Sequence, residues 1–498
     1  MAGVEGVGNA GGVRDAAGRG GCGEGAGASA KTLGGWEEVG AGSKVPGGVG
    51  LGEGLGASGS RSGECIEELT IGARRRTRVF ARRTLRRMLF PSRARRRSLF
   101  FVAALGAVAL LLGGGLVLRS QPLESDTTRS VAPGVSLRAV VTQTPSGPLR
   151  YWLVVADPRQ ARLDLVIPDG SNAQKKRSVR ALAAQSGALV AVNGGFFAYG
   201  GAAVGAVKTN GTWQRLPWKN RTALGWNDGP PTARVAPLSG SCQLRTAGSD
   251  GKIQIQSAAF NGFSLPGARD EVRNGFAVLT PRFGRAYTLG RGEFAFACYD
   301  IPLPRGAVRA FDPLSTPVRV QSAGVVDLSL YGFVVIARGD AAKAINLAQA
   351  PRFGYTVDTT PASWNAFGNI LGAGPRLVDG GRVRTNEVEE EFRPDVLARG
   401  PRTTVGWNAA GQWLLLVADG RSAASVGLTI PETAALFQRL GAVEGMNLDG
   451  GSSTQLVVGG ELVNTPSGFD PVNPTRPREV GVINALTLTS RRDAETQR

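Results

Sequence analysis

The chain contains no histidine, and that absence removes a large part of enzyme chemistry. Ser-His-Asp and Cys-His nucleophile activation, HExxH zinc sites and imidazole proton relays are all excluded. Cysteine is scarce as well, four in 498 residues, with no CxxC spacing, so a structural zinc is not expected. Cys22 and Cys65 precede a long apolar run and Cys242 and Cys298 follow it; the later pair fits either a disulfide in an oxidising compartment or two buried free thiols. The groups left for chemistry are carboxylates, hydroxyls, arginines and backbone amides. They suit glycosyl chemistry on paired carboxylates and oxygen ligation of hard cations. No cofactor is required by this set, and a divalent cation near the acids is compatible with it.

Residues 1 to 60 lack aromatic residues almost entirely and show no apolar period. With glycine at roughly one third of positions they cannot bury enough surface to offset ordering entropy. Residues 1–73 are therefore expected to be disordered, or to lie ahead of a true start at Met88, where MLFPSRARRRS opens a complete export signal. The net charge of +19 is not spread evenly. Arginines crowd residues 74–98, directly ahead of LFFVAALGAVALLLGGGLVL at 99–118. That uncharged run matches the roughly 20 residues needed to cross a bilayer, and the arginines mark its cytoplasmic side. A membrane signal anchor over 99–118 is expected, with a cleaved signal peptide as the competing reading. Everything after it is expected to lie outside the cytoplasm. Nucleic-acid binding is not expected, because no aromatic residues interleave with the arginines and later basic residues are mixed with acids such as Glu387, Glu389, Glu390 and Glu391.

After a polar linker at 119–136, short apolar runs such as LRAVVTQ, RYWLVVAD and RLDLVIPD alternate with Gly, Pro, Asn and Asp, which is the texture of strands joined by turns. VRALAAQSGALVAVNGGFF reads as a short amphipathic helix, a buried strand and a glycine-punctuated loop. In TIPETAALFQRLG, Thr429 and Glu432 form a capping box, Pro431 sits in the first turn and Gly441 ends the helix. The expected fold is α+β, a strand-rich mixed sheet with a few helices over 137–490, followed by a tail at 491–498. It is preceded by the disordered N-terminus and one transmembrane helix.

Four stretches carry candidate chemistry: VNGGFF at 192–197, GAGPRLVDGGRV at 372–383, PRTTVGW at 401–407, and VADGRS with NLDGGSST between 417 and 454. Each alone has a bland reading. Asp-Gly is a common turn dipeptide, arginines are mostly surface residues, and Phe196 and Phe197 fit a core as well as a sugar platform. In this order, however, the stretches resemble the phosphodiester glycosidase family over about residues 180 to 490. That resemblance implies hydrolysis of a sugar 1-phosphodiester at its anomeric bond; the compact export signal adds the expectation that the glycan belongs to a bacterial-type envelope or exopolysaccharide. It places Asn193, Gly194, Gly195 and Phe196 along the site, Arg402 and Thr403 facing substrate, Asp419 and Arg421 at one side, and Asn447, Asp449 and Ser452 opposite. Arg478 and Asn484, in PREVGVINAL, resemble the family's closing pair. Asp449 and Asp419 are the expected catalytic carboxylates, Asp449 first. Ser452 departs from the pattern, where family members often carry a further glycine. A non-catalytic glycan-binding or exopolysaccharide-assembly protein is the alternative function.

Overall fold

In the computed structural model, residues 124–491 are described except 169–174, 199, 231, 264–272, 300–313, 346–348 and 470–476. The expected disordered start, arginine-rich flank and membrane span, 1–118, lie outside the described residues. Among the described residues no helix is long and apolar enough to cross a membrane.

Three sheets dominate. The first has eight strands, all antiparallel to their neighbours: β1 (Ser125–Ala132), β2 (Val135–Thr144), β3 (Gly147–Ala156), β6 (Arg376–Asp379), β7 (Arg382–Val383), β8 (Arg402–Asn408), β9 (Trp413–Ala418) and β10 (Ala442–Asn447). Their order is β1-β2-β3-β9-β8-β10-β6-β7. A five-stranded sheet contains β4 (Ala161–Val166), β5 (Val190–Asn193), β11 (Leu456–Val458), β12 (Glu461–Leu462) and β13 (Ala485–Ser490), in the order β12-β11-β5-β13-β4. An eleven-stranded sheet occupies most of 207–372 and contributes a parallel pair, Ala258–Phe260 against Phe276–Val278, so the architecture is mixed. Among the described residues α-helices are few: α1 (Val179–Ser186), α2 (Asp340–Ala344), α3 (Pro394–Leu397) and α4 (Ile430–Arg439). Strand-rich α+β is thus what forms.

The alternation of β8 and β9 explains how the layers stack. Val405, Leu415 and Val417 point into a core shared with Val190 and Val192 of β5, Leu163 of β4 and Leu486 of β13. Leu414, Leu416 and Ala418 point the other way, onto Ile430, Ala434 and Phe437 of α4. Those three helix residues recur at i, i+4 and i+7, one face of a 3.6-residue period. The capping box forms as the sequence indicates: Glu432 N donates to the Thr429 side chain, and Thr429 N donates to Glu432 Oε2 at 2.8 Å. Gly441 follows with a φ of +94°, a conformation glycine reaches without strain.

Strand structure begins earlier than the sequence texture indicates. β1 covers part of the stretch read as linker, and its residues are mostly exposed. An edge strand wet on both faces needs no apolar period; register with β2 defines it. Cys242 and Cys298 are both buried in one apolar cluster with no disulfide between them, which decides the two readings of that pair in favour of thiols. Burial pushes the Cys242 thiol up to about 12, where it is inert.

Candidate active site

Helix α4 carries the chain from β9 over β8 to β10. Because β9 and β10 are each antiparallel to β8, they run parallel to one another and end at the same edge of the sheet. Asp419 follows β9 and Asp449 lies two residues past β10, so the two acids stand on either side of the start of β8. Two inter-strand spacings separate their backbones by roughly 10 Å.

Asn193, at the end of β5, ties the second sheet to this edge. Its Oδ1 accepts from Thr403 Oγ1 at 2.7 Å and from Gln455 N at 3.2 Å, and its Nδ2 donates to the Asp449 carbonyl at 2.6 Å. Asp449 N donates to Gly194 O at 3.0 Å, and Asn484 receives both Gly194 N at its carbonyl, 3.0 Å, and Gly195 N at its Oδ1, 2.9 Å. The glycines allow this closeness: a Cβ on Gly194 would run into Asn484 Oδ1. Gly194→Ala is expected to lower stability by about 1–3 kcal/mol in urea unfolding, whereas Gly200→Ala, which would meet nothing within 4 Å, should change it by under about 0.5 kcal/mol.

Asn447 is locked as well, with Nδ2 donating to Gly374 O at 3.0 Å and to Leu448 O at 2.6 Å, while its Oδ1 is a buried acceptor with no partner among the described residues. The Asp449 carboxyl is recessed and keeps partial access to solvent. It accepts from Gly450 N at 3.0 Å and from the Ser453 side chain, yet burial outweighs both and pushes its pKa up to about 6. Asp419 is more enclosed, at 2 % exposure. Its carboxylate is held by Asn464 Nδ2 at 3.0 Å and by Thr465 N at 3.1 Å. Burial raises its pKa, opposed by these bonds and by the charge of Arg150.

Three arginines differ sharply in what they can do. Arg402 is 4 % exposed; its guanidinium donates to Leu428 O at 2.9 Å, Val396 O at 2.7 Å, Leu397 O at 3.2 Å and Ala398 O. Burial, with the nearby charge of Arg421, lowers it to about 10. Thr403 is 0 % exposed with its hydroxyl given to Asn193. The expectation that Arg402 and Thr403 face substrate is corrected accordingly: the end of α3, the turn at Leu428 and Asn193 of β5 take up their donors, and the pair builds the site from beneath. Arg421, by contrast, is exposed and takes a left-handed φ of +60°; its backbone N–H donates to Val426 O at 3.5 Å, and its guanidinium has no hydrogen-bonding or ionic partner among the described residues. Its guanidinium lies against the Asp449 loop, since a Cβ on Gly451 would sit 3.2 Å from both Nη atoms. Arg478 is exposed on a two-residue ladder with Gly468, away from any described bond to Asp449.

Ser452 is half-buried in the turn after Asp449. Phe196 packs on Phe392 with ring centroids 5.7 Å apart. Among the described residues no group of three His, Cys, Asp or Glu side chains could hold a metal ion.

Several residues of this edge were not among the sequence candidates. Arg150 lies beside Asp419, whose N–H donates to the Arg150 carbonyl at 3.0 Å; strand register alone would have paired them. Glu390, read within an exposed acidic run, is 2 % exposed and accepts from Thr222 N at 2.8 Å, Thr222 Oγ1 at 2.7 Å and Arg376 N at 3.2 Å. Burial raises its pKa.

Residues 319–485, which hold the Asp419 and Asp449 loops, match the sequence profile of phosphodiester glycosidases. Over that stretch the chain is similar to that family. Within the family, mouse N-acetylglucosamine-1-phosphodiester alpha-N-acetylglucosaminidase is 31 % identical over 130 residues, 24 % of this chain and 25 % of the mouse protein. The match therefore spans a quarter of that relative. Among solved structures, a hypothetical protein from Synechocystis superposes with a TM-score of 0.58 at 26 % identity, covering 74 % of this chain and 64 % of its own. A protein from Burkholderia pseudomallei described as exported shares the fold at TM-score 0.54 and 20 % identity, over 73 % of this chain and 96 % of its own.

Proposed function

We propose that this protein hydrolyses a sugar 1-phosphodiester of the N-acetylglucosamine type at the bond to the anomeric carbon. In this reading it works on an envelope or exopolysaccharide glycan, outside the cytoplasm, anchored by residues 99–118. The observation that carries it is the pairing of a recessed Asp449, pushed up to about 6, with the unpartnered guanidinium of Arg421 at its loop.

The chemistry follows from the leaving group. A phosphate monoester has its second pKa near ~6, so it departs as an anion with little need of a proton. The demand on the protein is then a carboxylate at the anomeric centre, where positive charge develops or a bond forms, and a cation at the departing phosphate. Asp449 fits the first role. Arg421 fits the second with a planar fork of N–H donors, and Arg150 adds positive charge at the same edge. Asp419, with its oxygens engaged by Asn464 and Thr465, acts by holding the 464–465 loop against the edge.

Full-length protein incubated with an α-linked N-acetylglucosamine 1-phosphodiester tests this through released sugar. As Asp449 acts ionised, the rate should rise with pH to a plateau, with a midpoint near 6. A rate falling through pH 6 would make Asp449 a proton donor instead. No release at any pH, with the diester still bound, would leave the glycan-binding alternative.

A further inference from the structure

The opposite end of β8 carries a second concavity. A cleft of about 560 Å³ opens where β8 turns into β9, lined by Asp157, Arg159, Trp407, Asn408, Gln412 and Val443 among others. That volume is in the range of small-molecule sites. Five residue steps along β8 separate Trp407 from Arg402, about 17 Å of extended chain, so this cleft is distinct from the Asp449 edge.

We propose that the cleft is a second carbohydrate-binding site, taking a neutral sugar unit of a glycan. Trp407 stands directly across from Trp413 in the ladder, their rings edge to face at 5.8 Å. Trp413 is fully buried and Trp407 only half so, which leaves the outer indole as a flat apolar platform. Beside it the hairpin fixes two amides: Asn408 Nδ2 donates to Gln412 Oε1 at 2.9 Å, and Gln412 N donates to Asn408 Oδ1 at 2.9 Å. This mutual bond orients both side chains and leaves the Gln412 Nε2 donors free of any described partner. The Trp413 indole N–H is buried without a partner among the described residues, close to Gly229, which also abuts the cleft-lining Pro158.

Charge and topology exclude the other occupants. Asp157 and Arg159 are the charged lining residues and neutralise one another through Nη2 to Oδ2 at 2.7 Å, so nothing attracts an anion or a nucleic-acid backbone. Both edges of β8 and of β9 are already paired, so an extended peptide cannot add as a strand. A ring with an apolar face and hydroxyls around its rim matches a platform flanked by oriented amides.

The inference deepens the glycan reading, but its test measures binding alone and does not depend on turnover. Full-length protein is titrated with N,N′-diacetylchitobiose, followed by intrinsic tryptophan fluorescence and saturation-transfer NMR, and separately with adenosine monophosphate. The expected result is saturable disaccharide binding, weakened at least about 10-fold by Trp407→Ala and by Gln412→Ala and retained in Asp449→Asn. If Trp407→Ala does not fold, Gln412→Ala decides. Absence of saturation, equal affinity in the Gln412 variant, loss only in Asp449→Asn, or tighter binding of the nucleotide would each overturn it.

Discussion

Asp449→Asn should abolish sugar release, by about 10³-fold or more, and at the same time make the protein more stable at neutral pH. The two effects have one origin. Burial raises the Asp449 carboxyl from 3.8 to about 6, so the folded state holds this proton more tightly than the unfolded chain does. A carboxyl raised in this way favours folding fully below pH 3.8, and that contribution is lost as pH rises through about 6. At about 1.4 kcal/mol per unit the loss above pH 7 is on the order of 1–3 kcal/mol, the lower part of that range applying because the carboxyl keeps some solvent access. The amide is neutral at every pH and can still accept from Gly450 N. Urea unfolding at pH 7.5 should therefore favour the variant, and the difference should shrink toward pH 4. A variant that is inactive and also less stable at pH 7.5 would mean that Asp449 is chiefly a turn residue.

Arg402→Ala should unfold the site, not merely weaken binding. Its guanidinium satisfies the carbonyls of Val396, Leu397 and Ala398 at the end of α3 and that of Leu428 just ahead of α4, a cation placed at a helix C-terminus where the dipole favours it. Removal takes these donors from the part-buried carbonyls at the end of α3 and leaves a void between elements, a loss of about 3–4 kcal/mol. Lysine cannot repair this, because one ammonium cannot span the same four oxygens. Thermal unfolding of Arg402→Lys and Arg402→Ala distinguishes the roles: a substrate-facing arginine would leave the melting temperature unchanged and raise KM, whereas a structural one lowers the melting temperature in both variants.

The motifs were legible as places and less so as roles. Asn193, Asp419 and Asp449 fall at one edge because strand, helix and strand can be read in order from QWLLLVADG, the capping box and GMNLDGG. The capped helix and the buried strand before VNGGFF carry local signals strong enough to survive any tertiary context. Which arginine is buried is not a local property. Arg402 and Arg421 both sit in glycine- and hydroxyl-rich stretches, and only the packing of α3 and the turn at Leu428 separates the committed guanidinium from the free one. Glu390 was hidden for the same reason, being one acid in an acidic run until Thr222, from a distant strand, claimed it. β1 was missed because a strand exposed on both faces has no pattern to show.

β8 joins the two ends of this surface in one straight element. A central strand with both edges paired does not stretch or bend, so it fixes the spacing between the reacting edge and the Trp407 cleft at about 17 Å. Under the proposed glycosidase activity and second sugar site, such a molecule would measure its substrate. A glycan long enough to rest on the indole while its phosphodiester lies at Asp449 would gain the second contact at a high effective concentration, and a shorter one would not. Chain length, and not only the identity of the terminal sugar, would then set which polymers are processed and where trimming stops.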